Sequence, residues 1–331
     1  MGSPLAAHHL PLHTVSIGAA AFDLFLRTDL STLHTCNGQR TIAFEVGGKQ
    51  RIETVIGGCG GGAANTSVGL SRLGMHAAFC GMLSDDQWGQ ILRKSLEEED
   101  VDVRLATVIE NETASFSIVL LLPNGERTIL NDPGVTRHLH DVTFDRAAVG
   151  KADAIYFNHI HADSCVIEDD LLSMKRAKPS MYLTWNPGGN QLKEGLRKPS
   201  NRALVACTDL LLLNKEEALA FTDTPTEKDA LTALIDAGAK VVCITDGPRG
   251  ATATNGKMIY HCPALDGNVV DTTGAGDAFG SAMTWALLQG FDLPMSVRAG
   301  TINAQSVVQV IGAESGLLTE DQMHSKLQCY G

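Results

Sequence analysis

From Lys151 onward, short apolar segments alternate with longer segments in which apolar residues recur at helical spacing. Strands are predicted at 154–157, 181–185, 210–213 and 241–245, with helices at 168–176, 215–221 and 226–237. Strands that alternate with helices in this way form a mostly parallel sheet with helices on both faces. Ligands of such sheets bind beyond the carboxyl ends of the strands, where the sequence places Asn186, Asn214 and Thr245.

The first half of the chain does not show this alternation of strands and helices and contains several β-like segments instead. After a buried first strand at 14–19, further strands are predicted at 24–30, 41–46, 51–56, 115–122 and 127–130, the last two joined by a P-N-G-E turn. These pieces could form a small sheet apart from the main domain. The chain of 331 residues suits one large α/β domain, which we expect at 14–320 after a loose tail at 1–13.

The segment D-T-T-G-A-G-D, at 271–277, precedes an apolar run that predicts a helix at 277–288. The small residues Gly274, Ala275 and Gly276 let backbone N–H groups turn toward an anion at the positive end of that helix. Asp277 lies at the same end, where a carboxylate can accept a proton from an attacking hydroxyl. An anion site beside a base is suited to phosphoryl transfer. The alternative is a glycine-rich turn that only caps a helix.

This segment resembles the C-terminal motif of the ribokinase-like, PfkB-type carbohydrate and nucleoside kinases. A second segment, G-G-G-A-A-N-T-S-V-G-L-S-R-L-G at 60–74, is similar to the N-terminal motif of that family. The resemblance covers about residues 15–318. It implies a doubly wound, mostly parallel α/β sheet with helices on both faces and a small β-sheet lid built from pieces within 24–56 and 113–131. In the family such a lid closes over the acceptor and excludes water.

On the acceptor side, the resemblance implies that Gly61 and Gly62 let the acceptor approach the backbone. Asn65 and Asp23 would hold its hydroxyls. A helix cap is the alternative for Asn65, and an exposed acid is the alternative for Asp23. The sequence has Ala21 where some sugar kinases of the family carry a polar residue.

On the nucleotide side, the resemblance implies that Thr245 and Gly247 contact ATP phosphates, and that Asn303 or Thr301 lines the adenine pocket. Asn214 and Glu217 match a motif N-x-x-E that could hold Mg²⁺ through its water shell, although a capped helix start has the same pattern. Asp271 and Thr273 match positions that ligate K⁺ in some relatives. Asp271 could equally brace its own turn.

Charge and cysteine content narrow the class of protein further. The net charge is −12 with no Lys/Arg-rich run, which argues against nucleic-acid polymers and anionic membranes as partners. The eight cysteines form no C-x-x-C pair, and no apolar run is long enough to cross a bilayer. We therefore expect free thiols, mostly buried, in a cytoplasmic protein.

These features predict an ATP- and Mg²⁺-dependent kinase that phosphorylates a hydroxyl of a sugar or nucleoside, with Asp277 as base. Phe22, Phe25, Phe44 and Phe116 could stack on a nucleobase or pack the lid, so the acceptor stays open. His159 or His161 could touch it. Two other classes remain: an NAD-dependent oxidoreductase built on G-x-G-x-x-A at 58–63, and a catalytically silent sensor. An exposed lid edge could pair two copies of the chain.

Overall fold

The computed structural model describes residues 12–27, 33–36, 39–121, 127–138, 145–159 and 167–329. Its strands, in chain order, are β1 His13–Ile17, β2 Ala21–Arg27, β3 Leu33–Cys36, β4 Gln39–Ile42, β5 Thr54–Gly60, β6 His76–Cys80, β7 Met82–Ser84, β8 Thr107–Ile109, β9 Phe116–Leu121, β10 Arg127–Asp132, β11 Ala154–Phe157, β12 Tyr182–Trp185, β13 Leu210–Asn214, β14 Val241–Thr245, β15 Ala251–Thr254 and β16 Ile259–Cys262.

The helices, in the same order, are α1 Gly62–Arg72, α2 Gln87–Glu98, α3 Arg146–Val149, α4 Ile167–Ala177, α5 Gly189–Glu194, α6 Pro199–Cys207, α7 Lys215–Thr222, α8 Glu227–Asp236, α9 Ala275–Leu288, α10 Leu293–Val307 and α11 Glu320–Cys329. Within the described ranges, none of these helices is long and apolar enough to span a membrane.

The main sheet has the strand order β16-β15-β14-β13-β12-β11-β1-β6. From β6 to β14 all neighbours are parallel, and the last two pairings are antiparallel. The predicted α/β architecture is thus confirmed, with each of the four strands predicted after Lys151 found within one residue of its expected bounds. The carboxyl ends of β1, β11, β12, β13 and β14 meet at one edge of this sheet.

Side chains of the parallel strands alternate between two apolar cores. On β11, Ile155 and Phe157 join the core covered by α4, α6, α7 and α8, whereas Tyr156 joins the core covered by α9, α10 and α11. Burial on both faces explains why these strands are uniformly apolar in sequence.

A second sheet, the lid sheet, has the order β10-β9-β2-β5. In it, β2 runs parallel to β9 and antiparallel to β5. Two predictions need correction here. The strand expected at 41–46 is instead a short strand ending at Ile42, and the one expected at 51–56 runs later, through Gly60. Residues 28–30 of another predicted strand and the P-N-G-E turn lie outside the described residues.

Six cysteines are free in the structure, as expected: Cys59, Cys80, Cys207, Cys243, Cys262 and Cys329. Cys80, Cys243 and Cys262 are buried, whereas Cys329 is exposed. The sequence also predicts a helix at roughly 294–310. In the structure this helix ends earlier, at Val307, and Val310 N–H donates to the Val307 carbonyl.

Candidate active site

The amino end of α9 is formed by the D-T-T-G-A-G-D segment. Gly274 is the residue before the helix and has φ 75°, a left-handed conformation that favours glycine. A Cβ at this position would lie 2.5 Å from Ala313 Cβ, so the turn also depends on close packing. The Ala275 N–H already lies 3.3 Å from Thr272 O. Because a first helical turn offers its N–H groups no intrahelical acceptors, those of Gly276 and Asp277 are available for an anion.

Asp271 braces this turn from below. One carboxylate oxygen accepts from Thr273 N at 3.0 Å and from Thr273 Oγ1 at 2.7 Å, and the other accepts from Gly312 N at 3.0 Å. The side chain is buried. The structural alternative raised for Asp271 therefore has direct support, and these bonds explain its position without a bound K⁺.

Asp277, on the first turn of α9, faces α1. Its Oδ2 accepts a hydrogen bond of 2.7 Å from Asn65 Nδ2, which joins two motifs 212 residues apart. Burial raises the pKa of Asp277 to about 6, and the bond from Asn65 opposes part of that rise. A carboxyl group with a pKa near 6 is ionised at neutral pH and can act as a general base.

Asp23 lies within β2, not in a turn, and is buried. Burial raises its pKa to about 6, while a hydrogen bond from Ser117 lowers it. A Cβ at Gly60 would lie 2.4 Å from Asp23 Oδ2 and 3.8 Å from Asn65 Oδ1, so the Asp23 carboxylate and the Asn65 amide converge beside that glycine. The structure brings Asp23, Asn65 and Asp277 together, as the resemblance implied.

The glycines before α1 are explained largely by contacts within the protein. Gly61 has φ 94°, and a Cβ there would lie 2.7 Å from Ala19 O. A Cβ at Gly62 would lie 3.1 Å from Asn158 Oδ1. These positions therefore require glycine, or tolerate little else, even before an acceptor approaches.

The G-x-G-x-x-A pattern at 58–63 does not form a dinucleotide-binding turn. Gly58 and Gly60 lie inside β5, an antiparallel strand of the lid sheet, and α1 begins at Gly62. The fingerprint requires the turn between a parallel strand and its helix. The oxidoreductase alternative thus loses its structural basis.

A cavity of about 540 Å³ opens beside the amino end of α9. Its wall is mostly apolar and includes Thr245, Gly247, Gly276, Phe279 and Thr301. Apolar cavities of this size with a few polar groups are typical of small-molecule sites. Two residues predicted to contact ATP, Thr245 and Gly247, therefore share one cavity with the free N–H of Gly276.

Asn303 is not among the residues that line this cavity, so its assignment as an ATP contact stays a prediction that this geometry does not support. It is fully buried, its Nδ2 donates to Ala278 O at 2.8 Å, and its Oδ1 accepts from Leu318 N at 3.0 Å. Its amide group therefore ties α9 and α10 to the segment before α11. Thr301, the other residue considered, lies on the cavity wall.

Asn214 and Glu217 form a reciprocal cap at the start of α7. Asn214 Oδ1 accepts from Glu217 N at 2.9 Å, and Glu217 Oε2 accepts from Asn214 N at 2.8 Å. Asn214 pairs in register with Thr245, so the cap stands next to the cavity. Burial raises the pKa of Glu217. Arg249 lies nearby but bonds to Asp246.

The lid phenylalanines pack mainly against protein. Phe22 stacks on Phe116 at 5.8 Å between ring centroids and contacts Trp88 at 4.6 Å, while Phe25 is buried against Val119 and Leu121. Phe44 is half exposed. Of the two histidines considered, His159 packs beside Gly188 and Gly189, and His161 lies outside the described residues.

Two further polar residues of this region went unpredicted as site residues. Asn158, at the end of β11, is buried and donates to Thr66 Oγ1 at 3.1 Å. Glu314 follows Ala313, and burial together with the negative charges of Glu99, Asp23 and Asp277 raises its pKa to about 7, against the effect of Arg72. The sequence feature that could have identified Glu314 as a site residue is that it is the one charged residue in the segment G-A-E-S-G-L-L.

Comparison with known proteins gives a consistent result. A family model described as pfkB family carbohydrate kinase matches residues 14–320. An "Uncharacterized sugar kinase" of Archaeoglobus fulgidus is 28% identical over 255 residues, which cover 76% of this chain and 98% of that protein. A fructokinase of Klebsiella pneumoniae is 31% identical over 239 residues, which cover 67% of this chain and 74% of the relative.

Solved structures share the fold at lower identity. A ribokinase of Arabidopsis thaliana complexed with ribose and ATP superposes with a TM-score of 0.78 at 21% identity, over 96% of this chain and 99% of the other. Adenosine kinase from Sinorhizobium meliloti gives a TM-score of 0.77 at 20% identity, over 97% and 99%. A chain from E. coli solved with ATP and Mg²⁺ gives 0.77 at 18% identity, over 96% and 99%.

Proposed function

The chain belongs to the pfkB family of carbohydrate kinases, phosphotransferases that act on an alcohol group, and we propose that it transfers the γ-phosphoryl group of ATP to a sugar hydroxyl. Residues 14–320 would form one kinase domain. The observation that carries the proposal is the Asp277 carboxylate, oriented by Asn65 at the same helix end that offers free N–H groups to an anion.

In this mechanism the acceptor hydroxyl lies between Asp23 and Asp277. Asp277 accepts the hydroxyl proton as the oxygen attacks the γ-phosphorus, and Asn65 keeps the carboxylate aimed at that proton. The N–H groups of Gly276 and Asp277 stabilise the charge that builds up on the transferred group, and Ala275 contributes its own N–H if it releases Thr272 O. Positioning and electrostatics then supply most of the rate enhancement.

The residues present also fit a magnesium ion. Glu217 uses Oε2 for the helix cap, and a carboxylate has further acceptor capacity for the waters of Mg²⁺. Bound Mg²⁺ would neutralise phosphate charge. K⁺ beside Asp271 and Thr273 stays a prediction, which stimulation of activity by K⁺ over Na⁺ would support.

A sugar is the preferred acceptor because Phe22, Phe25 and Phe116 are used in packing, which leaves them unsuited to hold a base. The half-exposed Phe44 is the specific feature that keeps a nucleoside as second candidate. The lid sheet also presents exposed apolar side chains near its edges, Val55, Ile129 and Leu130, which would suit pairing with a second copy. Light scattering on the wild type and on Leu130→Lys would test that pairing.

The direct test is an ADP-release screen with Mg-ATP against free sugars and nucleosides. We expect turnover of a sugar, and we expect Asp277→Asn to lower kcat about 10²–10⁴-fold while ATP binding persists. Near-normal turnover of that variant would refute the base assignment, and absence of ATP binding by the wild type would refute the kinase itself.

A further inference from the structure

The acceptor side of the site holds buried oxygen atoms that accept no hydrogen bond. Asn65 Oδ1, Asn158 Oδ1 and Glu314 Oε1 are each shielded from solvent and have no partner among the described residues. Asn65 and Asn158 are 4% and 1% exposed. A buried acceptor without a donor is costly, so a ligand that brings donors to these three atoms would gain hydrogen bonds that the protein itself does not supply.

Two of these oxygens converge on the glycine run beside Asp277. Asn65 Oδ1 approaches the same face of Gly60 as Asp23 Oδ2, and Asn158 Oδ1 lies against Gly62. Asn65 and Asn158 thus flank the start of α1 from two sides. Their remaining amide atoms are fixed, since Asn65 donates to Asp277 and Asn158 donates to Thr66. Neither amide can therefore rotate to present its NH₂ group without losing a hydrogen bond.

The charges around this space are negative. Asp23 and Asp277 form no ion pair within the described part of the chain, and the negative charges of both raise the pKa of Glu314. Arg72 is the cation that acts on Glu314, but its guanidinium is already bound to Glu99 and to the carbonyls of Glu314 and Leu317.

Other cations offer little compensation. Arg137, beyond the end of β10, donates to Gly134 O and pairs with Asp132 at 3.8 Å. The stretches of sequence between and beyond the described ranges contain no lysine or arginine. The acceptor side therefore combines three carboxylates with acceptor oxygens, and Arg72 and Arg137 are both bound to other groups.

We propose that the acceptor is a polyhydroxylated molecule without an anionic group, and that Glu314 is a specificity-determining residue that disfavours phosphorylated sugars. This inference rests on the proposed kinase function and names the acceptor class of the same site. The acceptor's hydroxyls donate to Asn65 Oδ1, Asn158 Oδ1 and the Glu314 carboxylate. A phosphate group would bring acceptors and negative charge to a space that already has both.

The experiment compares each free sugar with its own monophosphate: fructose with fructose 6-phosphate, ribose with ribose 5-phosphate, and glucose with glucose 6-phosphate. Like charges brought together at a binding site cost several kcal/mol, so we expect kcat/KM for the free member of the active pair to exceed that of its phosphate at least about 100-fold. Equal or better use of a phosphorylated member would overturn the inference.

Glu314→Gln tests the residue with little change in shape. At pH 8, about one unit above the pKa of Glu314, we expect the ratio of kcat/KM between the free and phosphorylated members to fall about tenfold in this variant, as like-charge repulsion is removed. At pH 7 we expect a fall of only about twofold, because about half of the wild-type Glu314 is already neutral there. Glu320→Gln, which makes the same change on α11 beside Gly74, is the matched control and should keep the wild-type ratio. An unchanged ratio in a folded Glu314→Gln enzyme would refute the role of Glu314. If that variant does not fold, Asp23→Asn must lower the ratio instead.

Calorimetric titrations separate this inference from the proposed function. Binding of a non-hydrolysable ATP analogue tests the kinase, and its absence would refute that proposal. If the analogue binds, titration with both members of each pair tests the acceptor class. Binding of a free sugar alone supports the inference, whereas binding of the phosphate alone, or of neither member of any pair, overturns it and leaves the kinase intact.

Discussion

Replacing Asn65 by alanine should move the pH dependence of the reaction, because Asn65 donates the 2.7 Å hydrogen bond that opposes the raised pKa of Asp277. Loss of this donor destabilises the ionised form of Asp277 more than the neutral form. The pKa of Asp277 therefore rises above its wild-type value of about 6. Since the base must be ionised, the acidic limb of kcat/KM moves to higher pH.

The size of the shift follows from the bond. A hydrogen bond to a charged group contributes roughly 1.5–3 kcal/mol, and one pKa unit corresponds to about 1.4 kcal/mol. Asp277 is only partly buried, so water replaces some of the lost interaction, and we expect a shift of about one unit. Beyond any pH-independent loss, kcat/KM then falls about twofold near pH 7 and about tenfold near pH 5.

The assay is kcat/KM for the acceptor across the acidic range, where it reports groups of the free enzyme. Asp23 has a pKa of about 6 as well, so the wild-type limb contains both carboxyls. Asn158→Ala is the matched control, because this asparagine bonds to Thr66 and should lose activity without moving the limb. A limb that stays in place in Asn65→Ala would refute Asp277 as the titrating base.

Three other predictions concern the turn, the cavity and the buried glutamate. Gly274→Ala forces φ 75° on a residue with a Cβ and should lower both kcat, about tenfold or more, and the urea unfolding midpoint. Gly276→Ala, which lies in α9 with no heavy atom within 4 Å of its Cβ, should leave the urea unfolding midpoint unchanged or slightly higher. Thr301→Trp should raise the KM for ATP at least about tenfold and, because Thr301 is buried, should also cost about 1–3 kcal/mol of unfolding free energy. Asn303→Ala should cost about 1–3 kcal/mol of unfolding free energy without that rise in KM, which separates the two residues. The pKa of Glu314 is raised from 4.5 to about 7, so the wild type loses stability as the pH rises from 4.5 to about 7 and the buried carboxyl ionises. Glu314→Gln has no group to ionise there. The unfolding free energy of this variant minus that of the wild type should therefore increase with pH between these values, by about 3 kcal/mol at most. A flat difference would show that the group titrates normally.

The large sheet could be predicted because its strands are buried on both faces and bounded by polar residues, which gives each a compact apolar signal. The lid was harder. β5 contains G-G-C-G, a composition that disfavours strands, and its pairing with β2 is decided by tertiary contacts that no local pattern encodes. The strand was therefore placed too early in the sequence.

The candidate site likewise contains residues that the sequence alone could place and residues that only the fold brings together. Residues within one motif, such as Gly274 and Asp277, could be placed from the sequence because the turn and helix hold them together. Thr301 and Asn303 could not be separated, since two residues along a helix are about 200° apart and the sequence does not fix which face meets the cavity. Only the fold brings Glu314 under the electrostatic influence of Asp23 and Asp277, and a lone acid in a short loop carries no local sign of that interaction.

In the proposed kinase, the anionic nucleotide and the uncharged acceptor would bind on two sides of one helix end, and neither side would depend on Lys215 or Arg249. Near the nucleotide cavity, Lys215 and Arg249 are both bound to Asp246, so an anion there must depend on backbone N–H groups and the positive end of α9. Across the same helix end lie the carboxylates of the acceptor side. Asp277 lies between these two sides. The helix end and the hydrogen bond from Asn65 favour its carboxylate form, but burial favours the neutral form more strongly, so its pKa is about 6. A stronger donor in place of Asn65 would stabilise the carboxylate and weaken it as a base. Removing the donor would leave the carboxyl protonated over more of the working pH range. The neutral amide of Asn65 therefore suits a base that works near neutrality, which a cationic partner at this position would not provide.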